Sequence, residues 1–164
     1  MAGMADSTAI VQLPAEALQR LPSAIASLVP TETERFMAAL ELGYLAASAD
    51  GLDETERASI ASTLERVTGI GFDHDAFNDH FADLDEAVLM LGRRERLART
   101  AAEFETDEAR ADVIRFAALV AMADGELQTP ELVVLEEAGS HFKWNADKIR
   151  TLVNDAAARV RGAQ

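Results

Sequence analysis

Two short stretches of this chain put carboxylates where a helical pattern breaks. Residues 45–60 read LAASADGLDETERASI and residues 119–135 read LVAMADGELQTPELVVL. Each leaves an apolar run through Ala-Asp-Gly, passes through acids and restarts. The acids are Asp50, Asp53 and Glu56 in the first stretch and Asp124, Glu126 and Glu131 in the second. Carboxylate oxygens are hard ligands, suited to calcium, magnesium or manganese, and close carboxylates repel unless a cation lies between them. If the fold brought the two breaks together, the six acids would make one divalent-cation site.

The second stretch carries more of that chemistry than the first. Asp124, Gly125, Leu127 and Glu131 fill the later half of an EF-hand calcium loop, in which glycine follows the aspartate and a glutamate closes the loop seven residues on. The earlier half is missing, because Val120 and Met122 stand where oxygen ligands belong. The first stretch is a residue shorter and has Arg57 where an unshifted register would need glutamate. A second reading needs no ion. Glycine supplies the positive φ of a turn between helices, and aspartate bonds to turn amides. Asp53 and Glu56 have capping-box spacing, and both complement the positive end of the helix that follows.

The elements that must position these acids are helical. Leu, Ala, Glu and Arg dominate and β-branched alternation is almost absent, so the spacing predicts an all-α bundle of about seven to eight helices. Thr31 and Glu34 form a capping box for a helix bearing Phe36, Leu40, Tyr44 and Ala47. Asp53 opens a second helix with Ile60, Leu64 and Val67, which Gly69 and Gly71 stop. Phe77, Phe81, Leu84, Val88 and Leu91 make one apolar stripe of a third, closed by Gly92. A fourth spans RRERLARTAAEF. Thr106 caps a fifth bearing Val113, Phe116, Val120 and Ala123. Thr129, with Pro130 as the first helical residue, restarts a sixth with Leu132, Leu135 and Phe142 inward and Gly139 as a weak point. Asn145 caps the last, with Ile149, Leu152, Ala156 and Val160 inward.

Setting Asp50 on Asp124, with one residue missing in the first copy, brings Leu52 onto Leu127, Glu56 onto Glu131 and Ile60 onto Leu135. That register predicts two related halves, about 31–92 and 93–164, in one helical domain spanning 31–164. Residues 1–30, punctuated by Pro14, Pro22 and Pro30, are expected to form short helices or an arm.

Composition narrows the function. The 164 residues carry 29 acids against 15 bases, a net charge of −14 that disfavours a phosphate backbone as partner and suits cations or basic proteins. No apolar run approaches the roughly 20 residues of a membrane span, and no basic start followed by an apolar stretch marks a secretory leader. Direct membrane insertion is not expected, and a cytoplasmic location is. With no cysteine, thiolate zinc sites and cysteine nucleophiles are excluded.

Other candidates weigh less. His74 and His80 lie about 240° apart around a helix and cannot point at one ion. Asp79, Asp83 and Glu86 share a face opposite the apolar stripe, as a solvated surface does. The run Arg93, Arg94, Arg96 and Arg99, broken by Glu95, is expected to pair with acids. No nucleophile elbow, phosphate loop or His-Glu-x-x-His is present, and His141 has no evident partner. An enzyme is not expected.

The segments ASADGLDETERASI and AMADGELQTPELVVL resemble the ADG-x-x-x-x-E segments of the TerB tellurite-resistance family and the related TerB-like domain of membrane-anchored J-domain co-chaperones. The resemblance covers roughly residues 33–158. It implies a two-half helical bundle without enzymatic activity, an association with stress or tellurite resistance, and protein partners that include membrane-associated stress proteins. It places Asp50, Asp53, Glu56, Asp124, Glu126 and Glu131 in a divalent-cation role. The first segment departs from the family pattern by having Leu52 where an acid often follows the glycine. The competing expectations are a metal-free scaffold whose acids are caps and a metal-dependent hydrolase.

Overall fold

In the computed structural model, residues 9–30, 32–49, 55, 58, 60–62, 65, 74–123 and 125–162 are described. They form an all-α bundle with one two-stranded sheet. In chain order the elements are β1 (Ala9–Gln12), a 3-10 helix (Ala15–Arg20), α1 (Leu21–Ala26), α2 (Thr33–Ala47), α3 (His74–Leu91), α4 (Arg93–Ala101), α5 (Asp107–Ala121), β2 (Glu126–Gln128), α6 (Thr129–His141) and α7 (Ala146–Arg161). Thr55, Ala58, Ile60–Ser62 and Glu65 are helical as well, and Ile60 and Ala61 are buried. The expectations for Thr31, Leu64, Val67, Gly69 and Gly71, and for the side chain of Phe77, lie outside the described residues.

The centre of the bundle is the α2–α5 pair. Each helix was read as apolar on one stripe, but from Ala38 to Ala47 and from Val113 to Ala121 each is buried nearly all round. A helix apolar on every side is stable only inside others. The single interruption is Glu41 in α2 and Arg115 in α5, each half-buried and each ion-paired, Glu41 to Arg96 and Arg115 to Asp112 and Asp155. These two positions are equivalent in the register that sets Asp50 on Asp124. The same register superimposes the ends of the two helices, both fifteen residues long, and sets buried Ile60 on buried Leu135. The backbones approach closely where a Cβ on Gly43 would sit 3.1 Å from Val120 Cβ.

The outer helices close the core around this pair. α7 packs on α5, α6 on α4, α2 and α5, and α3 mainly on α4. Thr106 and Asn145 cap as expected, accepting from the amides of Ala109 and Lys148 at 3.1 and 2.9 Å. Three boundaries differ. α2 starts at Thr33 with Glu32 as its cap residue and no side-chain cap bond. Thr129, not Pro130, is the first residue of α6, and Gln128 precedes it as the cap residue. The stripe of α3 sinks Phe81 and Leu84 but leaves the core toward its end, where Leu91 is 57% exposed.

From Val11 to Leu28 the N-terminal segment is not an arm but part of the core. Val11, Leu13, Ala17, Leu21, Ile25 and Leu28 all enter the common core, and α1 lies on α5 and α7. β1 runs antiparallel to β2, pairing Val11 with Leu127 and Gln12 with Glu126, with a bulge between Ala9 and Val11. Two arginines tie the chain ends together. Arg20 Nη1 donates to the carbonyls of Val160 and Arg161 at 3.3 and 3.0 Å, and Arg161 Nη2 donates to the Gln12 carbonyl at 3.1 Å.

Candidate functional site

The second Ala-Asp-Gly turn is built from the end of α5. That helix stops at Ala121 with Met122 as its cap residue. The Gly125 amide donates to the Met122 carbonyl at 2.8 Å, and Gly125 takes φ +103°, a conformation in which a side chain would be strained. Its carbonyl accepts from the Leu13 amide at 2.7 Å. The chain then enters β2, burying Leu127 completely against Val11, and turns into α6. Glu131 lies on the first turn of α6, where its Oε1 accepts from the Gln128 amide at 2.8 Å. This is the glutamate half of a capping box, satisfying an amide that the helix leaves without a partner. Gln128 Nε2 donates to Glu126 Oε1 at 3.1 Å.

Of the six acids, Glu126 and Glu131 are therefore brought together through Gln128. Asp50, Asp53, Glu56 and Asp124, and with them Gly51, lie outside the described residues. Glu131 is 7% exposed and Glu126 half-buried. The described part of the turn is a helix cap, and Asp124, the aspartate of the loop pattern, lies outside it. Calcium takes six to eight oxygens, and the EF-hand draws two of them from the positions held here by Val120 and Met122. Those side chains are 4% and 0% exposed and belong to the core at the end of α5. Among the described residues no group of three His, Asp or Glu side chains gathers to hold an ion.

The remaining candidates sort themselves by partner. Arg93 forks onto Glu137 with contacts of 2.9 and 3.1 Å, Arg96 reaches Glu41 at 2.6 Å, and Arg99 lies 3.9 Å from Glu95. Three of the four arginines thus pair with acids, as expected. His80 is exposed beside the Phe81 ring, and the side chain of His74 lies outside the described residues. Asp79, Asp83 and Glu86 are exposed and without an ion-pair partner among the described residues.

Two features escaped the sequence reading. The hydroxyl of buried Tyr44 donates to both carboxylate oxygens of Asp85, at 3.1 and 3.0 Å, and its ring lies 4.3 Å from that of Phe81. Nothing in the spacing relates residues so far apart in the chain. The other is the end of α3, where Leu89, Met90 and Leu91 are 86%, 79% and 57% exposed. Here a signal was present. Three consecutive apolar residues span about 200° of a helix and cannot all lie in one stripe.

No protein-family model, no curated protein and no solved structure matches this chain. No helix among the described residues is long and apolar enough to cross a membrane.

Proposed function

We propose that the chain is a non-enzymatic, TerB-like adaptor of the cytoplasm, whose bundle is a rigid scaffold and whose work is done by contact with a protein partner. The observation that carries this reading is the exposed run Leu89-Met90-Leu91, which makes no contribution to the core it borders. Isolated apolar side chains on a surface are ordinary, whereas three in succession beside a groove mark a place where another surface sits. Leu45, Ala49 and Val88 line that groove with Leu89, and Ser48, Asp85 and Arg93 supply its polar side. In this reading the acids of the second turn serve the scaffold. Glu131 caps α6, and the turn presents β2 as the strand that holds β1. An association with tellurite or another stress rests on the sequence resemblance alone.

The adaptor reading is tested by a photo-crosslinking side chain placed at Leu91 and, as a control, at exposed Asn154 on α7. Irradiation of intact cells should give a discrete adduct from position 91 and none from position 154. Equal, diffuse labelling from both sites would sink the reading.

A divalent cation is the second reading, and it rests on the acids Asp124, Glu126 and Glu131 that the sequence sets along the second turn.

A further inference from the structure

The outer face of α3 combines two features that neither the core nor the second turn uses. Asp79, Asp83, Glu86 and Met90 follow one another by four, three and four residues, so they form one stripe along the helix, with Leu89 beside Met90. All five side chains are exposed, and the three acids have no cation beside them among the described residues. At 1.5 Å per residue the stripe runs for roughly 16 Å, about three helical turns. It is acidic over most of its length and ends at Met90; Leu89 lies about 100° further round the helix, on the side that lines the groove between the ends of α2 and α3 together with Arg93.

We infer that this face docks a basic amphipathic helix of the partner protein, with Leu89 and Met90 as apolar anchors and Asp79, Asp83 and Glu86 as the complementary charges. The inference rests on the adaptor reading and names the chemistry of its partner. Charge decides the occupant. A second copy would bring another net −14 and another unpaired acidic stripe against the first, and like charges across an interface oppose association. A helix with lysines or arginines along one side neutralises the stripe and lays its apolar side on Leu89 and Met90. Helix-in-groove recognition works in this way, the apolar anchors supplying affinity and the charges supplying register and rate of encounter.

The probe is a fluorescent peptide of about five helical turns containing only Leu and Lys, spaced to give one apolar and one basic face. It is titrated into the full chain by anisotropy, beside a Leu/Glu peptide of the same pattern. Saturable binding is expected at micromolar concentration. It should weaken at least tenfold in Leu89→Ser/Met90→Ser and in Asp79→Asn/Asp83→Asn/Glu86→Gln, and the Leu/Glu peptide should not bind. Both variants alter exposed side chains and should melt with wild-type chain.

Equal binding by wild type and both variants overturns the assignment of this face. So does equal binding of the Leu/Glu peptide, a result that needs no variant. Sedimentation of wild type as a dimer that Leu89→Ser/Met90→Ser dissolves gives the face to a second copy and also overturns it. A discrete crosslink from position 91 alongside a peptide that fails these tests would leave the adaptor reading standing and remove the basic helix. Binding that passes them without a discrete crosslink would do the reverse.

Discussion

Glu131 shows how one residue supports two chemistries until its neighbours are known. Seven residues after Asp124 it stands where an EF-hand glutamate would close the loop; three residues after Gln128 it stands where a capping box needs an acceptor. The 2.8 Å bond from the Gln128 amide favours the second role. The two roles respond differently to substitution. A glutamine keeps an acceptor oxygen at the cap, whereas an alanine leaves the Gln128 amide without that acceptor. Glu131→Ala should therefore cost roughly 1–2 kcal/mol and Glu131→Gln well under half of that, with no added stability from millimolar calcium in any of the three proteins. Thermal melts with and without calcium measure this. A calcium-dependent rise in Tm in wild type, lost equally in both variants, would restore the cation reading. Asp124→Asn, combined with Glu131→Gln, would then show by calorimetry whether the aspartate shares the ion.

Among the elements, α6 and α7 show why a glycine read as a weak point is a packing requirement. A Cβ on Gly139 would collide with Ile149 Cδ1 and lie 2.7 Å from its Cγ1, and Ile149 is fully buried. Gly139→Ala should destabilise the chain by about 1–3 kcal/mol, despite alanine's better helix propensity. In an Ile149→Ala background, which removes both clashing atoms, the same change should cost little or become favourable. Urea unfolding of the four proteins closes the cycle, and a cost independent of Ile149 would mean that the crossing is not what demands glycine. The C-terminus of α6 adds a second local constraint. Lys143 takes φ +67°, and the amides of Lys143 and Trp144 return to the carbonyls of Ser140 and Gly139 in a Schellman motif. A lysine in that place is not what a cap pattern predicts, and it explains why the last helix boundary could be read only from Asn145.

For the molecule as a whole, the N-terminal segment is part of the fold. Val11, Leu13, Leu21, Ile25 and Leu28 are each no more than 8% exposed. At about 1.5–3 kcal/mol for each buried side chain, their gross contribution is comparable with the 5–15 kcal/mol that holds a typical domain together. Removing residues 1–30 should therefore abolish the cooperative thermal transition, because the cut uncovers Leu127 and the faces of α5 and α7 as well. A truncated chain that still melted cooperatively would return those residues to the status of an arm. The three prolines left short helices or an arm as the alternatives, because they forbid long helices. They do not forbid what occurs, a strand, a 3-10 turn and one short helix with Pro22 in its first turn.

What the sequence determined by itself was local. Periodicity, the caps at Thr106 and Asn145 and the glycine after Asp124 depend on residues within a turn or two of one another, and these determined the helical class and several boundaries. The register that sets Asp50 on Asp124 also sets Glu41 on Arg115, an equivalence that only their burial singles out. Tertiary structure alone decided which helices are central, because burial on all sides depends on neighbours supplied from elsewhere in the chain. It decided that β2 pairs with an N-terminal strand, since a three-residue strand has no periodicity to read. It also decided that Glu131 meets a backbone amide and that Leu89 and Met90 meet solvent. In each case spacing lists the partners a side chain can reach, and packing chooses among them.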